Sequence, residues 1–222
     1  FNTIAGSGKN GAIVHYRATK NNTKLLKRNE IFLCDSGGQY KFGTTDVTRT
    51  ICFGNHNKNI KNIFTNVLKG HIAVAQTDLN KKKTGKLIDK DARKFLKKDR
   101  LDYNHGTGHG VGFFLNVHEG PQAISKSNSV KIQEGMILSN EPGYYKKGKF
   151  GIRIENLVYV KKIGRKLSFE NLTLAPIEKD LINFNLLTRK EKNYLFNYHL
   201  KVYLKISPFL NRNEKKWLAS FI

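Results

Sequence analysis

His105-Gly-Thr-Gly-His109-Gly-Val-Gly112 opens the stretch of sequence that decides the fold, and three further motifs follow it before residue 157. These are Val117-His-Glu-Gly-Pro121, Asn140-Glu-Pro-Gly-Tyr-Tyr145 and Gly151-Ile-Arg-Ile-Glu-Asn156. Imidazole and carboxylate groups are the ligands of hydrolytic metal sites, and the additional His and Arg side chains can bind a substrate. The pattern predicts that the rest of the chain holds these motifs in register around one site.

Length and composition are those of an ordinary globular protein. The 222 residues, 39% hydrophobic and 26% charged, can bury a full core as one large domain or two small ones. No apolar run approaches the ~20 residues of a membrane span, so we expect no membrane partner. The opening at Phe1, without an initiator Met, predicts a piece of a longer polypeptide. Cys34 and Cys52 suit a reducing compartment, which predicts a cytoplasmic protein without a disulfide.

The net charge of +23 raises the question of an acidic partner. Clustered Lys and Arg side chains bind nucleic acid by releasing phosphate counterions. Here the Lys residues are spread over the whole chain, which favours a solvated basic surface. We therefore do not expect nucleic acid as a partner, although a basic binding module stays an alternative.

Hydrophobic periodicity predicts an α+β protein. Apolar residues at three- and four-residue steps predict helices over 59–76 and around 87–96. The capping box Thr188-x-x-Glu191 predicts a third helix that ends at Pro208, and a short helix follows over 214–222. Short apolar runs bounded by turn residues predict strands. We place these strands at residues 12–16, after a loop over 6–11, and at 30–35, 45–53, 135–141, 151–160 and 172–177.

The candidate metal ligands are four carboxylates and one imidazole: Asp35, Asp46, His109, Glu141 and Glu155. Together they carry enough negative charge for two divalent ions, and a carboxylate can bridge both. If Asp35 lies opposite Asp46 in an antiparallel hairpin, both side chains point to one side of the sheet. That register would also set Cys34 opposite Val47.

Taken singly, several of these residues have simpler interpretations. Asp46 could lie on a strand surface, and Asp35 could cap a turn. Glu155 lies in an apolar strand, where Arg153 would share its face, so the two could pair with each other or belong to one site. The glycines beside His109 would leave space for a ligand. Three more histidines are individually as consistent with structural as with catalytic roles: His15, His105 and His118.

An oxygen-rich set of ligands disfavours a structural zinc site and favours manganese, cobalt, iron or a catalytic pair of zinc ions. Two such ions a few ångströms apart can bridge one hydroxide, lower its pKa and present it to a carbonyl. The chemistry predicted from the residues is therefore hydrolysis.

The order and surroundings of these residues resemble the M24 metallopeptidases, which have the pita-bread fold of curved antiparallel sheets covered by helices. The matching motifs are Leu33-Cys-Asp-Ser-Gly-Gly-Gln-Tyr40, Thr44-Thr-Asp-Val-Thr-Arg49, Gly106-Thr-Gly-His-Gly-Val-Gly112, Asn140-Glu-Pro-Gly-Tyr-Tyr145 and Arg153-Ile-Glu-Asn156. Within the family, the chain is similar to Xaa-Pro aminopeptidases (aminopeptidase P) of the longer three-domain form. That similarity is in Lys69-Gly-His-Ile-Ala-Val74 and Phe114-Leu-Asn-Val-His-Glu-Gly-Pro121.

The resemblance implies a site with two divalent ions, usually Mn²⁺, with Zn²⁺ and Co²⁺ as alternatives. Asp35 would bind one ion, His109 and Glu141 the other, and Asp46 and Glu155 would bridge both. A hydroxide between the ions would attack the carbonyl of the first residue of a peptide that has proline second, with Glu141 as general base.

The resemblance also implies roles for residues that bind no metal. His118 and His15 would hold the substrate carbonyl and stabilise the tetrahedral intermediate. Arg153 would support the bridging glutamate in catalysis, while His105 and Tyr145 would line the substrate side.

Two domains and a homodimer are implied as well. Residues 1–180 would form an N-terminally incomplete catalytic domain, and residues 181–222 a helical C-terminal extension. The aromatic residues from Thr188 to Ile222 exceed what a solvated helix needs, which favours a dimer interface there. Prolidase or methionine aminopeptidase activity, or a basic nucleic-acid or chaperone-like binding module on the same fold, stay alternatives.

Overall fold

The computed structural model describes residues 1–112 and 116–222. Phe114 and Leu115, the first residues of the motif that ends at Pro121, lie outside the described residues. The helices are α1 (Lys58–Ala75), α2 (Gly85–Lys98), α3 (Arg189–Ile206) and α4 (Arg212–Ala219). The strands are β1 (Ile4–Ser7), β2 (Ile31–Ser36), β3 (Gln39–Tyr40), β4 (Gly43–Thr44), β5 (Val47–Cys52), β6 (Gly108–His109), β7 (Ala123–Ile124), β8 (Ile137–Asn140), β9 (Gly143–Lys146), β10 (Phe150–Arg153), β11 (Asn156–Ile163) and β12 (Lys166–Asn171).

Two antiparallel three-stranded sheets form the frame of the molecule. One has the strand order β1-β2-β5 and the other β12-β11-β8. The β9-β10 hairpin packs against the first sheet through β10, and α1 contacts strands of the second sheet as well as this hairpin. Antiparallel sheets covered by helices confirm the predicted α+β class.

The apolar faces predicted for the helices form the core. Phe64, Val67 and Leu68 of α1 are fully buried in one cluster with Ile152 of β10 and Leu195 of α3. A second cluster joins α2 to the second sheet. Both predicted central helices are therefore confirmed: α1 begins and ends one residue earlier than predicted, and α2 extends two residues beyond its predicted range at each end.

The first sheet corrects the predicted register between β2 and β5. Asp35 lies opposite Thr48 and not Asp46, while Cys34 lies opposite Arg49 and not Val47. The pairing is shifted by two residues, and a short β3-β4 hairpin occupies the turn. Because side chains alternate between faces with a period of two, a shift of two residues keeps each side chain on its predicted face. Both cysteines are free thiols, as expected.

Three of the predicted strands are wrong or incomplete. The predicted strand at 12–16 is wrong, because Ala12 ends a 3₁₀ turn (Gly8–Ala12) and a bend and a turn follow it. The strand of this region is β1, which extends from Ile4 into the segment predicted as a loop over 6–11. Residues 172–177 lie outside any strand, because carbonyls of this segment bind the Arg49 side chain instead of a neighbouring strand. Residues 151–160 are divided between β10 and β11, with Ile154 and Glu155 between them.

The C-terminal helices begin with side-chain caps. The Oγ1 atom of Thr188 accepts a hydrogen bond from the Glu191 amide at 3.3 Å, and the Glu191 carboxylate accepts one from the Thr188 amide at 2.7 Å. This confirms the predicted capping box. The helix ends where Ser207–Phe209, which contains Pro208, forms a 3₁₀ turn. None of the helices in the described part of the chain has the length and apolar content needed to cross a bilayer.

Candidate metal centre

The predicted metal ligands meet in one cavity of about 640 Å³. Each comes from the end of a strand or from a break between two strands, where the backbone leaves the sheet and its side chains face open space. The residues that line this cavity include Asp35, Asp46, His109, Glu141 and Glu155. The simpler interpretations of Asp35 as a turn cap and Asp46 as a strand-surface residue do not explain this convergence.

His109 lies between two of the carboxylates. Its Nε2 atom is 3.5 Å from Asp46 Oδ2 and 3.4 Å from Glu141 Oε1. One ligand atom each from Asp46, His109 and Glu155 lies within 4.8 Å of the others. Ligands that share a cation at about 2 Å are themselves roughly 3–4 Å apart, so these separations suit a shared ion.

Hydrogen bonds fix the orientation of His109. Its Nδ1 atom lies 2.9 Å from the carbonyl oxygen of Gly110, which places the ring proton on Nδ1. Nε2 then faces the carboxylates, and on losing its proton it can offer a lone pair to a metal ion. Ser139 joins the two ligands on this side: its Oγ accepts from the His109 amide at 2.9 Å and donates to Glu141 Oε1 at 3.0 Å.

Arg153 and Thr48 fix the carboxylates on the other side of the site. Arg153 Nη2 donates to Asp35 Oδ2 at 2.6 Å, and its Nε donates to Thr48 Oγ1 at 3.0 Å. Thr48 Oγ1 in turn donates to Glu155 Oε2 at 2.7 Å. These bonds hold one oxygen of each carboxylate in place.

A directed chain of hydrogen bonds leads from Arg153 to His105. Arg153 Nη1 donates to the Tyr145 hydroxyl at 2.7 Å, because a guanidinium has no acceptor. The hydroxyl proton is then left for His105 Nε2 at 2.9 Å, while His105 Nδ1 donates to the carbonyl of Gly106 at 2.6 Å. Burial also lowers the pKa of His105 to about 4. The ring is neutral, both nitrogens are bonded, and it offers a substrate its carbon edge.

The glycines around His109 differ from the prediction that they leave space for a ligand. A Cβ atom on Gly108 would lie 2.0 Å from the carbonyl oxygen of Ser139, and one on Gly110 would lie 2.0 Å from that of Glu119. Neighbouring backbone therefore fills the space beside both residues. The glycines let three segments of chain approach closely around the histidine, and the ligand space is on the side of its ring.

The electrostatics of the site disfavour charged carboxylates in the absence of a cation. Burial raises the pKa of Glu141 to about 7, although the charges of His109 and Arg153 oppose this. Burial and the charges of Glu141 and Asp46 raise the pKa of Glu155 well above its usual range. Burial alone would lower the pKa of His109, but bonding to Asp46 and the charge of Glu141 raise it. The acids and the imidazole therefore retain protons that a bound cation would displace.

Two buried oxygen atoms test whether divalent ions fit this site. Asp35 Oδ1 and Asp46 Oδ1 have no hydrogen-bond partner among the residues that the structure describes. Burial raises the pKa of Asp35 more than the neighbouring Arg153 lowers it. An unpaired buried acceptor is costly and calls for a partner. These unpaired oxygens, the orientation of His109 and the oxygen-rich donor set all fit divalent cations bound among these residues.

The two histidines predicted to hold the substrate carbonyl lie on the cavity wall, and both are exposed. The ring of His118 stands edge-on to that of His109, with 4.0 Å between ring centroids. Neighbouring groups partly desolvate the exposed His118 ring, and this desolvation together with the charge of His109 lowers its pKa. His15 and His118 thus border the open side of the site, where a peptide would enter.

Three residues that support the ligands were missed in the sequence: Thr48, Ser139 and Arg49. Thr48 follows Asp46 by two positions, and Ser139 precedes Glu141 by two, so the period of a strand would have found both. Arg49 points to the opposite face of β5 and bonds to residues far along the chain. No local pattern identifies those partners.

Comparison with known proteins agrees with this geometry. The model of metallopeptidase family M24 matches residues 1–162, and that of the C-terminal region of peptidase M24 matches residues 165–220. A probable Xaa-Pro aminopeptidase P of Laccaria bicolor is 48% identical over 98% of this chain, and the match covers 36% of the relative. The chain thus spans little more than a third of the length of the curated relatives it matches.

Solved structures give the same result. An X-prolyl aminopeptidase of Caenorhabditis elegans, described as a cytosolic enzyme with a di-nuclear active site, is similar with a TM-score of 0.92 and 38% identity. That match covers 99% of this chain and 38% of the other. A prolidase of Pyrococcus furiosus has a TM-score of 0.68 and 30% identity, over 78% of this chain and 49% of its own. These neighbours are pita-bread enzymes, which confirms the predicted fold.

Proposed function

The chain belongs to metallopeptidase family M24, and on that basis we propose that it carries the metal centre of an aminopeptidase that removes the first residue of peptides with proline second. The observation that carries the proposal is the convergence of five ligands in one cavity that is bordered by histidines. The substrate class is supported by relatives named for Xaa-Pro and X-prolyl peptides.

In this proposal five residues bind two divalent ions. Asp35 would bind one ion, His109 and Glu141 the other, and Asp46 and Glu155 both. Carboxylates with one imidazole suit Mn²⁺, and Zn²⁺ or Co²⁺ can occupy such a site. Bound there, the ions would lower the pKa of a water molecule and polarise the peptide carbonyl.

The residues of the chain supply proton transfer and orientation. Glu141 would take the proton of the attacking water as general base. His15 and His118 would donate hydrogen bonds to the carbonyl oxygen and to the oxyanion that forms on the substrate. Arg153 would keep the Asp35 carboxylate in place, since it is itself held by Tyr145 and Thr48.

The substrate side of the cavity suits a proline. An Xaa-Pro bond has no N–H group, so its binding site needs no hydrogen-bond acceptor at that position. Both nitrogens of His105 are bonded to Gly106 and Tyr145, so the ring presents carbon atoms to the cavity. An apolar ring edge can pack against a pyrrolidine ring without leaving a polar group unpaired.

Prolidase activity on Xaa-Pro dipeptides is the second candidate. It is favoured by the structural similarity to the prolidase of Pyrococcus furiosus. A prolidase cleaves dipeptides, in which no residue follows the proline, whereas the proposed aminopeptidase also cleaves longer peptides. The proposed metal ligands are the same for both activities.

Hydrolysis rates with added Mn²⁺ test the proposal. We expect the protein to release Arg from Arg-Pro-Pro faster than it cleaves Gly-Pro or releases Met from Met-Ala-Ser. Glu141→Gln should abolish the activity, because it removes both a ligand and the proton acceptor. Glu134→Gln is the matched control, since the Glu134 side chain is 59% exposed on the surface.

The outcome separates the alternatives. A preference for Gly-Pro would replace the proposal by prolidase, and a preference for Met-Ala-Ser would replace it by methionine aminopeptidase. If the protein binds no metal at saturating Mn²⁺, or if Glu141→Gln is as active as Glu134→Gln, the proposal is wrong.

We also propose a homodimer that forms through the extension at 181–222, and a cytosolic location. The dimer is supported by large apolar side chains that remain exposed in the extension, among them Leu204, Phe209 and Trp217. The location is supported by the description of the Caenorhabditis elegans enzyme as cytosolic. The division into a catalytic domain at 1–180 and an extension at 181–222 stays a prediction.

A further inference from the structure

Arg49 lies under the metal centre, on the face of β5 opposite to Thr48. The side chain is buried, with the residue 9% exposed, and carbonyl, amide and hydroxyl oxygens surround its guanidinium. A buried cation is tolerated only when its donors are paired. Its partners belong to two parts of the chain: Thr48, Glu155 and Asn156 near the site, and Ala175, Pro176 and Tyr198 in the C-terminal region.

On the site side, Arg49 holds the backbone of Glu155. The break between β10 and β11 removes this residue from the sheet, so its carbonyl needs another donor. Arg49 Nη1 donates to this carbonyl oxygen at 2.5 Å and to that of Thr48 at 2.8 Å. The Glu155 amide donates to the same Thr48 oxygen at 3.1 Å. The peptide of Glu155 is thus fixed from both sides.

On the other side, the C-terminal region holds Arg49. Arg49 Nε donates to the carbonyl of Pro176 at 2.9 Å, and Nη2 donates to that of Ala175 at 2.8 Å. With Thr48 O, Glu155 O and Asn156 Oδ1, these acceptors use all five N–H groups of the guanidinium.

Tyr198 of α3 orients this contact. Its hydroxyl donates to the Ala175 carbonyl at 2.7 Å and lies 3.1 Å from Arg49 Nη2. The residue is 5% exposed, so the hydroxyl has no access to bulk water. Removal of the hydroxyl would free the Ala175 carbonyl to rotate away from the guanidinium.

We propose that the C-terminal region positions Glu155 for metal binding, with Tyr198 and the Ala175 and Pro176 carbonyls acting through Arg49. This inference rests on the proposed metal centre. Glu155 would hold both ions in that centre, so a displaced Glu155 backbone would weaken the binding of both. Arg49 and Tyr198 are positioning residues, since neither lines the cavity.

Titration of the metal-free protein with Mn²⁺ in a calorimeter tests the proposal. Tyr198→Phe removes one buried hydrogen bond and should weaken Mn²⁺ binding about 2- to 10-fold. Arg49→Lys keeps the charge but loses the planar guanidinium with its five N–H donors. It should weaken Mn²⁺ binding about 10- to 100-fold, as is usual when a residue that supports a metal ligand is replaced.

Tyr194→Phe is the matched control. Tyr194 lies one turn earlier on the same helix, its ring is stacked on Tyr198 at 6.4 Å, and its hydroxyl accepts from Asn171 Nδ2 at 3.0 Å. The substitution removes the same chemical group beside the same ring, and Mn²⁺ affinity should stay that of the wild type. All titrations are run well below the melting temperature of the least stable variant.

Each outcome decides the proposal. Unchanged Mn²⁺ affinity in Tyr198→Phe and Arg49→Lys would overturn it while leaving the metal centre intact. Equal losses in Tyr198→Phe and Tyr194→Phe would mean general loosening of α3 and would also overturn it. If the wild type binds no Mn²⁺, the proposed function fails, and this inference fails with it.

Discussion

The Thr48 hydroxyl links a positively charged side chain of the site, Arg153, to a negatively charged one, Glu155. It accepts a hydrogen bond from Arg153 Nε and donates one to Glu155 Oε2. A hydroxyl can both accept and donate, unlike a guanidinium or a carboxylate. Arg153 is therefore connected to Glu155 through a neutral group while its own ion pair is with Asp35. Arg153 and Glu155 therefore both contribute to one site, which is one of the two interpretations that their spacing of two residues allowed.

The raised pKa values of Glu141 and Glu155 predict how the stability of the metal-free protein depends on pH. An acid with a higher pKa in the folded state binds more protons when folded, so its stabilising effect is present at low pH and is lost as pH rises. For Glu141 the loss falls between its unfolded pKa of about 4.3 and its folded pKa of about 7. The raised pKa of His109 acts in the same direction.

Urea denaturation after EDTA treatment measures this effect. Between about pH 5 and about pH 8, the free energy of unfolding of the metal-free wild type should fall by roughly 2 to 4 kcal/mol relative to that of metal-free Glu141→Gln. The amide of Glu141→Gln does not ionise, and the comparison cancels the opposite contribution of buried histidines whose pKa is lowered, among them His71 and His199. Saturating Mn²⁺ should reverse the trend, since metal replaces the protons. Equal pH dependence of stability in the metal-free wild type and Glu141→Gln would contradict the prediction.

Among the elements, those defined by local patterns were predictable. The periodicity of α1 and α2, and the capping box of α3, relate residues only three or four positions apart, and all of them appear in the structure. The register of β2 against β5 was not, because the β3-β4 hairpin between them shifts the pairing by two residues. Asp35 and Asp46 still line one cavity despite this error, since a shift of two does not change the face of a strand.

The elements that were predicted wrongly share one cause: each forms contacts with residues that are far away in the sequence. Residues 172–177 look like a strand, yet their carbonyls bind Arg49 from β5. β1 extends into the predicted loop at 6–11, and it forms because β2 supplies the hydrogen-bonding partner strand. Glu155 interrupts an apolar strand where Thr48 and Arg49 bond to its backbone. None of these contacts leaves a trace in the local sequence.

The capping box of α3 predicts a measurable contribution to stability. Thr188→Ala removes the side-chain acceptor for the Glu191 amide and a donor to the Glu191 carboxylate, which also binds Lys69 of α1 at 2.8 Å. We expect a loss of about 1 kcal/mol in the free energy of unfolding, measured with urea. Thr23→Ala, at an exposed loop residue, should change it by less than about 0.5 kcal/mol. Equal losses would show that the cap contributes nothing specific.

At the scale of the whole molecule, the C-terminal extension (residues 181–222) has apolar side chains buried in the core and others exposed on the surface. Leu195, Tyr198 and Val202 are buried in the large apolar cluster, so deletion of the extension would open the core. Phe209, in contrast, is 84% exposed. An interface can therefore be tested by changing exposed residues without removing the helix.

We expect Phe209→Glu to convert the proposed dimer to a monomer, because a carboxylate would have to be buried unpaired in an apolar interface. Light scattering gives the mass. Phe42→Glu is the control, since Phe42 is 79% exposed but lies between β3 and β4, away from the extension in sequence. A wild-type mass of one chain would contradict the dimer. An unchanged dimer in Phe209→Glu would place the interface elsewhere.

The hydrogen bonds between Arg49 and the C-terminal region limit how segments of related proteins can be exchanged. A chimaera joined near residue 165 would bring together a guanidinium from one parent and its acceptors from another. Such a hybrid should fold with a working centre only when the donor segment presents two backbone oxygens and a phenol in the positions of Ala175, Pro176 and Tyr198. The sensible exchange point for protein engineers is therefore after α3, since the strand that carries Arg49 and the helix that carries Tyr198 must be inherited together.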